Sequence, residues 1–220
     1  MHRRELKVII FLIVWLFTLF IFSACEVEFE PSITPINWST VPPASEFEFE
    51  SEIDPRASQV QEAIDVEDYQ LAIEMTIELY DLDVSNAPGV PQYNEKLIYY
   101  GITDPRDGSI EIGPDAFSSP GMLATTIGHE AVHATQIAEG RSYLDVEAEW
   151  QIVDLQGYRL TELEAWKWEL EHADDNGLTN EELAQVQAMV DKLYDLLTEE
   201  NQALADEGIY TLPTPGAETP

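Results

Sequence analysis

The chain has 220 residues, with 10 Lys and Arg against 43 Asp and Glu, a formal net charge of −33. That length suits one domain with tails, and a surface so acidic repels a phosphate backbone, which excludes nucleic acid as a partner. One cysteine allows no internal disulfide, so the fold rests on its core alone.

Residues 1–24 read as a targeting segment. Arg3, Arg4 and Lys7 precede the uncharged run VIIFLIVWLFTLFIF, residues 8–22, too short for a span of about 20 apolar residues and suited to a secretory signal. Ser23 and Ala24 then lead to Cys25. Phe22-Ser23-Ala24-Cys25 resembles the cleavage site of a bacterial lipoprotein, although that family prefers an aliphatic residue where Phe22 stands. The resemblance implies cleavage before Cys25, a lipid on its sulfur, and an exported protein anchored to the membrane of the bacterial envelope. An uncleaved signal anchor is the alternative.

Residues 25–56 are acidic and Pro-rich and read as a solvated tether. A domain is expected over 57–208, with a disordered tail over 209–220. Its class is α+β and mostly helical. Residues 57–80 carry broad apolar faces and predict a helix. SNAPGVPQ, residues 85–92, reads as loop. KLIYYGI, residues 96–102, and SIEIG, residues 109–113, read as two antiparallel strands joined by DPRDG. The next helix spans about 119–139. Ser119 caps it, Pro120 suits its first turn and Gly140 can end it. One helix is expected from about Asp145 to Asp175. Thr179 and Glu182 have capping-box spacing and open another to about Ala205.

The chemistry lies in TTIGHEAVHATQ, residues 125–136. On a helix, His129 and His133 share one face a turn apart, and two imidazoles so placed can hold one Zn²⁺. Glu130 lies about 100° around the axis, off that inner face but able to act as a base on a water beside the metal. Leu123, Ile127, Ala131, Ala134 and Ala138 form a lean apolar back face. The bland reading is a pair of hydrogen-bonded core histidines.

His129, Glu130 and His133, on a helix that follows two strands, resemble the zincin metallopeptidases. The resemblance implies a zinc ion on the two histidines, Glu130 as general base, a peptide substrate, and a preceding edge strand that binds it; Ile110 and Ile112 would then line the cleft with Gln136. Catalytic zinc takes three protein ligands. Glu139, six residues past His133, stays on a continuing helix and faces the wrong way, which sets the metzincin pattern aside. The gluzincin pattern implies a glutamate from a later helix, among Glu147, Glu149, Glu162 and Glu164. Glu164 is the first choice. It interrupts the apolar stripe Trp150, Val153, Gly157, Leu160, Trp168, and ELEAW resembles the gluzincin Glu-Ala step. Glu162, flanked by Tyr158 and Trp166, is the runner-up. Tyr143 and Tyr158 are candidate oxyanion donors, and His172 reads as an exposed helix-end residue. The expected function is membrane-anchored zinc peptidase. Its rival is an inactive zinc-binding or protein-binding envelope lipoprotein.

Overall fold

A computed structural model describes residues 54–145 and 151–212. Cys25, the signal segment, Glu147, Glu149 and Trp150 lie outside the described residues, as does nearly all of the expected tether and 213–220 of the expected tail.

Helix α1, Pro55–Asp65, takes its first turn from Asp54, whose side chain accepts from the Arg56 amide. It begins two residues earlier than expected. The single helix expected over 57–80 is two. Glu67 adopts a left-handed φ of 59°, and Asp68 then caps α2, Tyr69–Leu79. Apolar periodicity could not show this break, because both helices turn an apolar face to the same core. Val60, Ile73, Leu123 and Ile127 meet there, together with Ile110 and Ile112.

The sheet is small and mixed. Its order is β1 (Gln92–Tyr93), β3 (Ile110–Ile112), β2 (Gly101–Thr103). The β2–β3 pair is antiparallel as expected, with Ile102 opposite Glu111, but β2 covers only Gly101–Thr103, and most of the strand expected over 96–102 is turn and bend. β1 pairs with β3 in parallel, a partner that the loop reading of 85–92 did not anticipate. Among the described residues β3 is therefore central and β2 lies at an edge. Ile110 and Ile112 point into the core at 3% and 0% exposure, so neither lines a cleft. The alternation of β3 is correct, but its inward face serves packing.

After a 3-10 turn over Pro114–Ser118 comes α3, Pro120–Ala138. Ser119 accepts from the Met122 amide at 3.0 Å, and Gly140 follows the helix end with φ +74°. Expectation and structure agree closely here, since the punctuation is chemical rather than periodic. α3 is buried along most of its length and packs on α2, both neighbouring strands and the later helices. On its back face Leu123, Ile127, Ala131 and Ala134 are buried, whereas Ala138 is exposed.

The helix expected from Asp145 begins ten residues later. A pair of antiparallel two-residue strands comes first, β4 (Leu144–Asp145) with β5 (Gln151–Ile152). Asp154 then caps α4, Leu155–Glu171, by accepting from the amides of Gln156 and Gly157. A short α5, Ala173–Asn176, ends at left-handed Gly177. Thr179 and Glu182 form the expected capping box on α6, Asn180–Asp195. Thr198 caps a separate α7, Glu199–Asp206, so the last helix is also two. Leu160 and Leu163 of α4 form a second core with Val190, Leu197 and Ala205. α3 and α4 thus bring together side chains backed by two different cores.

Candidate metal centre

The site is built where α4 crosses α3. The helices come so close that a Cβ on Gly128 would stand 1.8 Å from the Trp168 ring. Only glycine permits that approach. It sets the histidine face of α3 against one face of α4, where Tyr158, Glu162 and Trp166 lie a turn apart from each other.

His129 and His133 face each other with their Nε2 atoms 3.1 Å apart. The Glu162 carboxylate approaches both, 3.6 Å from His133 Nε2 and 4.0 Å from His129 Nε2. One ligand atom from each of these three residues lies within 4.8 Å of the others, a group that could hold a metal ion. Glu164 is not part of it. Its carboxylate binds the Arg141 guanidinium at 2.5 Å and accepts from Gln136 Nε2 at 2.8 Å. An inward-leaning carboxylate did need a partner, and Arg141 supplies it. The stripe that favoured Glu164 ran through Trp150 and Val153. Both precede the helix, and Val153 is 64% exposed, so they could not set its phase.

The outer face of each imidazole is also occupied. His129 Nδ1 lies 2.5 Å from Glu169 Oε1, and Glu169 is only 5% exposed. His133 Nδ1 lies 2.8 Å from Gln136 Oε1. Both partners are acceptors, so each Nδ1 carries a proton and each Nε2 is turned toward the other and toward Glu162. Burial opposes a charge on His129. The Glu169 hydrogen bond and the fields of Glu169, Glu130 and Glu162 outweigh it and raise the ring's pKa to about 9. At neutral pH the ring therefore carries a second proton on Nε2, directed at the His133 lone pair.

A metal ion fits this donor set. Two nitrogens held about 2.0–2.1 Å from a tetrahedral zinc lie about 3.3 Å apart, close to the spacing found here. A cation would take the place of the His129 Nε2 proton between the facing nitrogens, with Glu162 supplying the oxygen. The carboxylate behind His129 is the arrangement that orients metal-bound histidines.

Glu130 is 7% exposed, and its side chain lies against β2 while its charge still acts on His129. Thr103 Oγ1 donates to its carboxylate at 2.8 Å and lies 2.9 Å from its backbone carbonyl. A Cβ on Gly101 would come within 2.7 Å of Glu130 Cγ, so the edge strand lies directly against this side chain. Tyr158 is held as a neutral phenol. Burial pushes its pKa up, and Glu162, followed by Glu130, pushes it further.

The other expected site residues lie elsewhere. Gln136 is 3% exposed and sits behind His133 rather than in a cleft. Tyr143 lays its ring on Gly157, and its hydroxyl accepts from the Leu212 amide. His172 ends α4, stacked on Trp168 with centroids 4.2 Å apart. Sequence reasoning missed Glu169 and Thr103. Glu169 had a signal, since it stands seven residues past Glu162 on the same helical face. Thr103 had none, because its role comes from strand placement.

No family model matches the chain, and no curated protein or solved structure matches it either.

Proposed function

We propose that this protein is a zinc-dependent peptide hydrolase in which His129, His133 and Glu162 hold the metal and Glu130 is the general base. The observation that carries the proposal is the placement of Glu130. It follows the first histidine, points to the side where the edge strand runs, and has its carboxylate fixed by Thr103. A pair of core histidines needs neither a carboxylate facing their Nε2 atoms nor an oriented acid beside them.

When bound, zinc supplies a Lewis acid that polarises a carbonyl oxygen and eases proton loss from water. The chain's own residues do the rest. Glu130 takes the proton of the attacking water and returns it to the leaving amine. Thr103 leaves one carboxylate oxygen of Glu130 engaged and the other free for that transfer. Tyr158, kept protonated beside Glu162, is a hydrogen-bond donor to negative charge that develops on the substrate. Its partner in the sequence-based expectation, Tyr143, is committed to packing.

The edge strand supports a peptide as substrate. Gly113 N to Tyr100 O and Asp104 N to Ser109 O place residues 100, 102 and 104 in bonding register with β3. Alternation then turns the peptide groups of Gly101 and Thr103 away from β3, where an added strand would pair. Ile98, Tyr99 and Tyr100, all exposed, lead into this edge and offer apolar surface to substrate side chains. Attachment to the bacterial envelope through a lipid on Cys25 is part of the same proposal and rests on the sequence FSAC.

The test is Glu130→Gln. It should retain stoichiometric zinc and lose hydrolysis of a peptide library that the wild type cleaves. Equal cleavage by both proteins refutes the assigned base. A zinc-loaded wild type that cleaves no peptide favours the binding-protein alternative.

A further inference from the structure

The two imidazoles are oriented by different chemistry, and the His133 side extends further from the site than any ligand. Gln136 Nε2 donates to two groups that can only accept, the Thr161 carbonyl at 2.9 Å and the Glu164 carboxylate at 2.8 Å. Those contacts fix which way the amide faces. Its Oε1 has to turn toward His133 Nδ1, at 2.8 Å. An amide oxygen cannot donate, so Nδ1 must, and the Nε2 lone pair is left for the metal side. Glu164 is held in its turn from the loop after α3. Arg141 Nη1 and Nη2 reach its two oxygens at 2.5 and 3.3 Å, while Arg141 Nε binds Glu139 at 2.7 Å.

We infer that Gln136, locked by the Glu164–Arg141 pair, is the positioning residue that fixes the tautomer and ring orientation of His133 as a metal ligand. The inference rests on the metal reading above and adds residues that touch no metal and no substrate. It also explains the neutral partner. Glu162, Glu130 and Glu169 already place three carboxylates around the His129 imidazole, and Glu162 also faces His133. A fourth against His133 would add repulsion, whereas an amide orients the ring without charge. Arg141 keeps the charge of Glu164 one residue removed. Carboxylates or carbonyls that orient metal-bound histidines commonly matter about 10–100-fold in metal affinity.

The experiment uses the zinc-loaded full chain and two variants, Gln136→Leu and Glu164→Ala. Zinc affinity is measured by competition with a chromophoric chelator. Nitrogen-15 NMR of the histidine rings follows the His133 Nδ1 proton. The wild type should show that proton on Nδ1, protected from exchange by its bond to Gln136. Gln136→Leu should raise the zinc Kd by about 10–100-fold and lose the protection. Glu164→Ala should shift both readouts in the same direction by less, because Thr161 still holds the amide. Residues that served packing alone would change melting temperature and leave the ring proton protected. Should Gln136→Leu fail to fold, Glu164→Ala decides. Unchanged Kd and unchanged Nδ1 protection in the folded variants overturn the inference while leaving the metal site intact. A wild type that binds no zinc overturns the metal reading itself.

Discussion

Gly128→Ala is the sharpest structural perturbation of the site, because Gly128 touches no ligand. Its missing side chain is what lets α3 and α4 meet. A Cβ there would lie 1.8 Å from one carbon of the Trp168 ring and 1.9 Å from another, against an ordinary contact of 3.4 Å or more. The ring or the helices must therefore yield by about 1.6 Å. Trp168 borders an open groove of about 410 Å³ with Val132 and Tyr210, so the ring has somewhere to go. Leaving its stack on His172 is the cost of that route. Overpacking of this kind costs about 1–3 kcal/mol. For a domain of this size, that lowers the melting temperature by about 3–10 °C. Metal ligation is less forgiving, since ligand distances hold within about 0.2 Å. If the helices separate, Glu162 leaves the two histidines and the zinc Kd should rise by at least about tenfold. Thermal unfolding and chelator competition on Gly128→Ala provide both numbers. Gly128→Ala combined with Trp168→Leu should recover part of each loss, because the smaller side chain relieves the overlap. A single variant with wild-type melting and wild-type zinc affinity would refute the idea that this contact sets the helix spacing.

Other outcomes follow from the same geometry. Thr103→Val removes the hydroxyl that holds Glu130; it should keep zinc binding and lower the turnover of peptide, and unchanged turnover contradicts the role given to Thr103. Excess chelator should lower the melting temperature of the wild type but not of His133→Ala, since a ligand present at 1,000 times its Kd adds about 4 kcal/mol. In chelator-treated protein, His129 is raised above its ordinary value near 6.5 to about 9. Its stabilising contribution is therefore complete below about 6.5 and is lost as pH rises toward 9. Urea midpoints at several pH values should show this decline, and Glu169→Gln should flatten it; equal slopes in both proteins would count against the Glu169 pairing. Ser119→Ala should cost about 1 kcal/mol of stability in urea unfolding without altering zinc affinity.

What could be read directly from the chain was what local chemistry encodes. Ser119, Pro120 and Gly140 bound the site helix because capping and left-handed φ are properties of single residues. His129 and His133 share a face because helix periodicity requires it. The phase of α4 could not be read in the same way. Phase depends on where a helix starts, and two residues of the stripe that favoured Glu164, Trp150 and Val153, stand before its first turn. The breaks at Glu67 and before Thr198 were hidden because the apolar pattern runs across them. β1 is two residues long, too short for alternation, and its parallel pairing is a property of the tertiary fold. Gln136 shows the limit most clearly. Its position one turn after His133 is plain in the sequence, but its direction depends on Thr161, Glu164 and Arg141, which the chain brings to it from 25, 28 and 5 residues away.

The central claim is that His129, His133 and Glu162 hold one metal ion. Its most direct measurement is zinc content, with X-ray absorption at the zinc edge, on wild type, Glu162→Ala and Glu164→Ala. The account predicts one zinc per chain in the wild type, with two imidazole nitrogens and carboxylate oxygen around it. Glu162→Ala should lose the carboxylate and most of the metal, and Glu164→Ala should keep both ligand types. A wild type without stoichiometric zinc, or a Glu162→Ala protein with an unchanged coordination shell, would contradict it.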